Sequence, residues 1–530
     1  MYTLGDIPRN GAINFADKEA IVFRETRMTY RKLNERSNRL ANALIDMGFG
    51  KKDRIAILAD NCAKYMEVYF GVTKAGASVC PLNFRLSNQE LEFQINDSES
   101  TMLIAGSEFK VQAANMKAMC PNVRKWISLD EAADGFEDYE GMLFDSSDRE
   151  PDVEVDENDM AILMYTGGTT GRPKGVMLSH KNLMTATLGT LTTTIPTIMQ
   201  ISPDTLKKLT SIDFVTCYVL PMFHVSIWPV FVAMIIGGKA VICRINFDEI
   251  LASIQNEKCT HLNMVPVLYN WLLSYPATAS HDLSSLISMT YAGSPFPSDV
   301  LKECIKKFGS IFTQAYGATE TAGGPISALG FYDHVLDGKG SELLESAGKP
   351  AICSRVSILD DEGKAVKTGE VGEVCVGGGH IMMGYWKDPE FTAEALKGGL
   401  YHTGDMGYMN RDGYLFLVDR KADMIISGGE NVYPKETENV LYAHPAVFEC
   451  SVVSAPDKKW GEIVQAVVVL QPGKSATAEE LMEFCKERLA GYKCPKRIDF
   501  WDTLPKTIIG KISKKDIKNQ YWEGHAKRVG

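Results

Sequence analysis

No stretch of this chain approaches the ~18 consecutive apolar residues that a membrane-spanning helix needs, which argues against a spanning role. The first residues, MYTLGDIPRNGAINF, lack both a basic leader and an apolar core followed by small residues, so no secretory signal is expected and the cytoplasm is the expected compartment. Cysteines run from Cys62 to Cys494 without a CxxC pair, and no His or Cys cluster has the spacing of a zinc motif. Reduced and mostly buried thiols follow from that pattern. Internal repeats and low-complexity tracts are absent. A net positive charge is missing as well: the net charge of −11 argues against a nucleic-acid partner, which would call for a basic face. Much of the acid is concentrated in DEAADGFEDYEGMLFDSSDREPDVEVDEND, from Asp130 to Asp159, where Arg149 is the single cation. That composition predicts a solvated connector between a first lobe and the segment that follows.

What is present is a long alternation of helical and strand-like stretches. At 530 residues the chain exceeds one core and implies three or more units of roughly 150 residues each. YRKLNERSNRLANALIDMGF reads as helix, and RIAILA and ASVCPL as buried strands, the pattern of a parallel α/β sheet. A second α/β unit extends to about Gly330, with strands in VTCYVLPMF and KAVICRI and a helix in DEILASIQNE. From Gly348 the chain changes to short strands and tight turns, predicting an antiparallel β unit. Beyond Asp419 helices and strands alternate again, in a small α+β unit of about a hundred residues.

Four stretches carry chemistry. In YTGGTTGRPKG, from Tyr165 to Gly175, glycines let backbone N–H groups converge, threonines add hydroxyls, and Arg172 and Lys174 add positive charge. The loop follows the strand-like AILMY and precedes a helix that Ser179 can cap, so it suits phosphate. The ATPase P-loop spacing is absent, and alone the stretch reads equally well as a flexible surface loop. QAYGATET places Tyr316, able to stack on a base, beside Thr319, able to donate to phosphate, and Glu320, able to hold Mg²⁺. In YHTGDMGYMNRDGYLFLVDRK, Asp405 could accept from ribose hydroxyls and Arg420 could add an anchor. Two turn residues would look the same. LPKTIIGKISKKDIK contains Lys511 among lysines that charge alone does not distinguish.

In this order the four stretches resemble the AMP-forming acyl-CoA synthetases of the adenylate-forming superfamily, from MTYRKLNERSNRLANAL to the lysine-rich end. The resemblance implies an α/β fold. A large N-terminal domain, residues 1–420, would comprise two α/β subdomains and a β-rich subdomain, with a small mobile α+β domain at 421–530. It implies ATP/AMP, Mg²⁺ and coenzyme A as cofactors and a small-molecule carboxylic acid as substrate; a homodimer stays open. By the same resemblance Thr166, Gly167, Gly168, Thr169, Thr170, Gly171 and Lys174 hold the ATP phosphates. Gly293, Ser294 and Pro295 line the adenine pocket with Tyr316. Thr319 touches phosphate, Glu320 ligates Mg²⁺, Asp405 and Arg420 anchor the ribose, and Lys511 bridges the substrate carboxylate and the α-phosphate.

The small domain of such enzymes rotates between the two half-reactions. Ala422 stands where the family usually carries Asp or Lys at the hinge, so a charged switch there is not expected. Gly428, Gly429 and Glu430 resemble the segment that faces the pantetheine tunnel after rotation. His224 resembles the gate at its mouth, and a packed core histidine is the other reading. Trp460, Tyr492, Lys493 and Lys496 resemble further coenzyme A contacts.

The matching acyl-pocket segments, 225–230, 265–269, 291–294 and 322–326, are apolar, aromatic or small. No Asp for an amino group stands in PMFHVSIW, which disfavours an amino acid. Gly323 and Gly324 read as free volume, and Trp228 and Tyr269 as rings able to close on a substrate. Fatty, aromatic and alicyclic acids all fit. Three rival functions stay open: an acyl-AMP ligase that loads a carrier protein, a non-catalytic nucleotide-binding regulator, and a luciferase-like oxygenase.

Overall fold

Short strands with fully buried residues fix the architecture. Ser78–Pro81, Met102–Ala105 and Val215–Tyr218 are buried along their whole length, as parallel strands covered on both faces must be. The computed structural model describes residues 3–130, 133–166, 173–199, 213–294, 296–427, 430–457, 460–506 and 512–523. Within them the strands form four sheets. No helix among the described residues is long and apolar enough to cross a membrane.

The first α/β sheet has eight strands. Its parallel part comprises Met160–Thr166, Ser78–Pro81, Arg54–Leu58, Met102–Ala105, Lys125–Ser128 and Glu137–Asp138. Lys174–Ser179 folds back antiparallel on Met160–Thr166, and Gly384–Tyr385 adds an edge. The second α/β sheet has nine strands and a parallel centre of Phe312–Tyr316, Ser288–Ala292, His261–Met264, Val215–Tyr218, Lys239–Ile242 and Glu19–Phe23. A four-stranded antiparallel sheet spans Arg355 to Arg420, and a five-stranded sheet lies between Ile425 and Phe500. The last sheet has its own core, which includes Val432, Leu441, Val452, Val464 and Leu481. This is the expected α/β class, with two α/β sheets, a β-rich unit and a small α+β domain.

Two organisational expectations are corrected. The strand that leads into the glycine loop belongs to the same sheet as the first lobe, so no connector divides them. The acidic stretch is itself built into the lobe. Helix Tyr139–Phe144 buries Tyr139, whose hydroxyl donates to Glu67 at 3.0 Å, while Glu140 pairs with Arg36 and Lys64. Glu150 accepts from Lys74 at 2.9 Å. Composition showed the carboxylates, and their cations lie 76 to 104 residues upstream. The first hairpin, Glu19–Phe23 with Thr26–Thr29, joins the nine-stranded sheet and not the neighbouring lobe.

The helices follow local chemistry. Tyr30–Asp46 starts where Thr29 accepts from the Lys32 N–H, and it buries Leu33, Leu40 and Leu44 at helical spacing. Ser179 accepts from the Asn182 N–H at 3.1 Å and caps His180–Met199, as its sequence predicts. Burying each such leucine contributes about 1.5–3 kcal/mol.

Candidate active site

Parallel strands that share one direction end on one edge, and side chains in the following loops gather in the crevice there. Val215–Tyr218 leads toward His224, His261–Met264 toward Val265, Ser288–Ala292 toward Gly293 and Phe312–Tyr316 toward Thr319 and Glu320. Ala292 and Ala315 are register partners, so Gly293 and Tyr316 leave adjacent strands side by side. Gly293 has φ of 85°, a left-handed conformation that glycine adopts without strain. Pro295 lies outside the described residues.

Thr166 and Lys174 form the last pair of the antiparallel hairpin, which pins both ends of the glycine loop. Gly167, Gly168, Thr169, Thr170 and Gly171 lie outside the described residues. The base of the loop is anchored by Tyr165, whose hydroxyl donates to Asp97 Oδ2 at 2.5 Å. The Asp97 backbone carbonyl accepts from Trp386 Nε1 and Lys387 Nζ, each at 2.8 Å. The Lys174 ammonium rests over the Phe391 ring, 2.7 Å from its centroid, and 5.5 Å from that of Tyr385. Burial lowers its pKa, while Asp388, Glu394 and Glu320 oppose that shift.

Glu320 sits in a single 3-10 turn, Thr319–Thr321, after the strand that ends in Tyr316. The turn is held from the other α/β sheet: the Met382 N–H donates to the Glu320 carbonyl at 2.8 Å, and the Tyr385 hydroxyl donates to Glu320 Oε1 at 2.8 Å. Tyr385 also pairs through its strand with Val176, just beyond Lys174. Thus one short segment joins the acidic turn to the glycine-loop hairpin.

Asp405 and Arg420 are register partners on Tyr401–Met409 and Leu415–Arg420. Their ion pair measures 3.3 Å from Nε to Oδ1, and the Asp405 charge raises the Arg420 pKa. Tyr316 donates to Asp405 Oδ2 at 2.5 Å, and burial raises the pKa of its hydroxyl. The structure therefore brings together Tyr316, Asp405 and Arg420, and separately Lys174, Tyr385 and Glu320, on loops converging from three sheets.

At the acyl-pocket segments two readings are corrected. Gly323 and Gly324 do not leave volume: a Cβ at Gly323 would meet the Val225 carbonyl oxygen at 2.5 Å, and one at Gly324 the Ala186 Cβ at 2.7 Å. They permit close approach of protein to protein. Tyr269 is fully buried, and its hydroxyl donates to the carbonyls of Leu262 and Thr290, both at 2.9 Å. It is a core residue and cannot close on a substrate. Trp228 is half-buried at the start of Trp228–Ile235, and His224 caps the 3-10 turn before it, accepting the Ser226 N–H at 3.3 Å.

In the small domain Lys511, Gly428 and Gly429 lie outside the described residues, whereas the Glu430 backbone pairs with Ser427. Trp460 is 44% exposed at the turn before Gly461–Leu470. The Lys496 N–H donates to the Val464 carbonyl at 2.8 Å on the same strand, and its ammonium points to the Gly491 carbonyl at 3.4 Å. Tyr492 is 40% exposed, and Lys493 pairs with Glu436. Ala422 lies in the 3-10 turn Lys421–Asp423, directly after Arg420. Sequence reasoning missed Asp97, Tyr385 and Phe391, although GYW and its following proline mark a tight connection that a closer reading could have flagged.

Two family models match the chain: the AMP-binding enzyme over residues 9–386 and the AMP-binding enzyme C-terminal domain over 436–511. A feruloyl-CoA synthase of Amycolatopsis sp is 37% identical over 500 residues, 94% of each chain. A fatty acid–[acyl-carrier-protein] ligase of Streptomyces coeruleorubidus is 34% identical over 510 residues, 95% of this chain and 93% of that one. The solved structure of the o-succinylbenzoate CoA synthetase of Bacillus subtilis, with its acyl-adenylate intermediate, superposes with a TM-score of 0.81 at 30% identity and covers 99% of both chains. With both family models matched and relatives of this kind aligned over almost the whole chain, the chain belongs to the AMP-binding enzymes and is an AMP-forming acyl-CoA synthetase.

Proposed function

We propose that this synthetase activates an apolar carboxylic acid, aromatic, alicyclic or medium- to long-chain fatty, with Mg²⁺ held at Glu320. The reaction class is that of the family: the acid carboxylate attacks the α-phosphorus of ATP and pyrophosphate leaves, and then the coenzyme A thiol displaces AMP from the acyl-adenylate. The observation that carries the reading is a pair of groupings, Lys174 with Tyr385 and Glu320 and Tyr316 with Asp405 and Arg420, on segments from three sheets. A carboxylate approaching triphosphate is two anions meeting, so catalysis rests on positioning and charge neutralisation. Lys174 and the glycine loop hold the leaving phosphates, Thr319 donates to them, and Asp405 with Arg420 fixes the ribose while Gly293 and Ser294 face the base beside Tyr316. An all-oxygen carboxylate with a tyrosine donor suits a hard cation, and bound Mg²⁺ would neutralise phosphate charge.

In this reading Lys511 bridges the two reacting anions, and residues 421–530 turn about the segment containing Ala422 to bring the Gly428–Glu430 segment and His224 to the thiol, with Trp460 and Lys496 on the coenzyme A side. The cytoplasm is the proposed compartment, and the net charge of −11 supports a reading without a nucleic-acid partner.

Formation of AMP and of acyl-CoA from ATP, Mg²⁺ and coenzyme A, measured across straight-chain, aromatic and alicyclic acids, tests the proposal. A preference within that panel supports it, and turnover confined to amino acids or polar diacids sinks it. The carrier-loading relative favours one second reading, transfer to an acyl carrier protein. AMP release without thioester in the presence of coenzyme A would select that reading. Lys511→Ala should lower adenylate formation at least a hundredfold and spare thioester formation from pre-made acyl-adenylate; equal loss of both would contradict the two-face model.

A further inference from the structure

Sequence spacing shows no zinc motif, but strand pairing assembles donors that spacing keeps apart. Gly372–Gly377 and Tyr401–Met409 run antiparallel with Cys375 directly opposite His402, and Glu373, two residues before Cys375, shares that face. Cys375 Sγ lies 3.4 Å from His402 Nδ1, and the same nitrogen lies 3.2 Å from Glu373 Oε2. All three donor atoms fall within 4.8 Å of one another.

We propose that Glu373, Cys375 and His402 form a binding site for zinc or a similar thiophilic divalent cation, separate from the Mg²⁺ position at Glu320 and independent of the proposed substrate. In a tetrahedral zinc centre with Zn–S about 2.3 Å and Zn–N and Zn–O about 2.0–2.1 Å, sulfur and nitrogen stand about 3.6 Å apart and nitrogen and oxygen about 3.3 Å. The two separations at His402 Nδ1, 3.4 and 3.2 Å, are close to those values, so a cation can replace the shared proton there once the Glu373 and Cys375 side chains close on it. Two of the three ligands sit on opposed positions of paired strands, which limits their drift. A thiolate with an imidazole selects against Mg²⁺ and Ca²⁺ and for the borderline-soft metals. Three protein ligands leave a fourth position for water.

The surroundings fit ligation. The Glu373 and His402 side chains keep 17% and 21% of their surface exposed, while Cys375 lies buried beneath them, so the opening is from their side. Glu373 Oε1 accepts from the Gly404 N–H at 3.2 Å, which orients the carboxylate and leaves Oε2 toward the histidine. The opposing charge is Lys421, whose ammonium bonds to Asp361 at 2.6 Å and is 47% exposed, so it can turn outward. The other reading is a histidine hydrogen bond shared between a buried thiol and a carboxylate, with no affinity for metal.

Cobalt(II) titration of the full chain, stripped with a chelator, separates the two. The expected result is one equivalent per chain with a thiolate-to-cobalt charge-transfer band in the near ultraviolet and visible bands of four-coordinate Co²⁺. Zn²⁺ should bleach both at stoichiometric addition, whereas a hundredfold excess of Mg²⁺ should not. Cys375→Ser should abolish the charge-transfer band, and His402→Gln should weaken cobalt binding at least tenfold. A band that persists unchanged in Cys375→Ser, or Co²⁺ binding that Mg²⁺ displaces at equal concentration, overturns the proposal, as does absence of the band in the parent chain. If Cys375→Ser fails to fold, His402→Gln decides alone: unchanged cobalt affinity overturns the site.

Discussion

Tyr385 is the residue through which the acidic turn and the glycine-loop hairpin are joined. Its hydroxyl donates to Glu320 Oε1, and its ring lies below Lys174. Removing the hydroxyl while keeping the ring leaves the carboxylate oriented by the turn alone. Tyr385→Phe should therefore raise the Mg²⁺ concentration for half-maximal AMP formation by about 10–100-fold, the usual range for loss of a group that orients a metal ligand. Binding of Mn²⁺ followed by paramagnetic resonance should weaken in parallel, and maximal rate should recover at high Mg²⁺. An unchanged metal requirement with a lowered stability would reduce Tyr385 to packing. The motifs marked Glu320, Lys174, Asp405 and Arg420 as candidates in the sequence, because each stands in a short run of unusual residue types. Tyr385 was not legible: it lies 65 positions from Glu320, and only the pairing of Gly384–Tyr385 with the glycine-loop hairpin brings it there. Gly323 and Gly324 failed in the opposite way, since a missing side chain looks the same whether the space holds substrate or neighbouring backbone.

Between elements, the small domain meets the rest through partly buried charge. The Lys435 ammonium donates to the Leu417 carbonyl at 3.1 Å, and the backbone N–H of Lys435 donates to Asp419 at 2.8 Å. Burial lowers the Lys435 pKa. Glu438, on the same helix Pro434–Tyr442, bonds the Val452 N–H at 2.8 Å and pairs with Lys514 at 3.1 Å. Burial raises the pKa of Glu438, while the charges of Glu438, Asp419 and Asp423 raise that of Lys514 against its own burial. Deleting one partner strands the other in a partly exposed setting, so Lys514→Met should destabilise the small domain by about 1–3 kcal/mol, read as a lowered urea midpoint. Lys514→Arg should restore most of it. Helices and strands of this domain were readable from their periodicity. The pairing of Lys514 with Glu438 was not, because lysines near the C-terminus are alike until a fold chooses among them.

Across the whole molecule, three buried histidines, His180, His334 and His380, and the half-buried His261 set a common response to acid. Burial lowers His180, His261, His334 and His380 to about 4 each. A histidine kept neutral below its unfolded value of about 6.5 contributes its full stability above that pH and loses it as pH falls toward about 4. His180 accepts the Leu4 N–H at 3.0 Å, so its protonation also releases the segment leading into the helix Asp6–Asn14 from the start of His180–Met199. Glu67 and Glu438, raised by burial, act with the opposite sign and offset part of the loss. The urea midpoint should fall steadily between about pH 6.5 and pH 4, with net proton uptake on unfolding. A midpoint flat across that window would mean that these imidazoles are not held neutral.

The first hairpin has a consequence of its own during synthesis. Ile21 and Val22 find their parallel partners in Ala240 and Val241, long after they leave the ribosome. At ~5–20 residues per second, the strand EAIVF waits roughly 10–45 s for that partner to be made. Through that interval the nascent chain carries an apolar strand with an open edge, which is the kind of segment that holding chaperones bind. The nine-stranded sheet closes only when its late strands are made, and a chain stalled before residue 240 would leave the amino-terminal hairpin with one open edge, prone to aggregate.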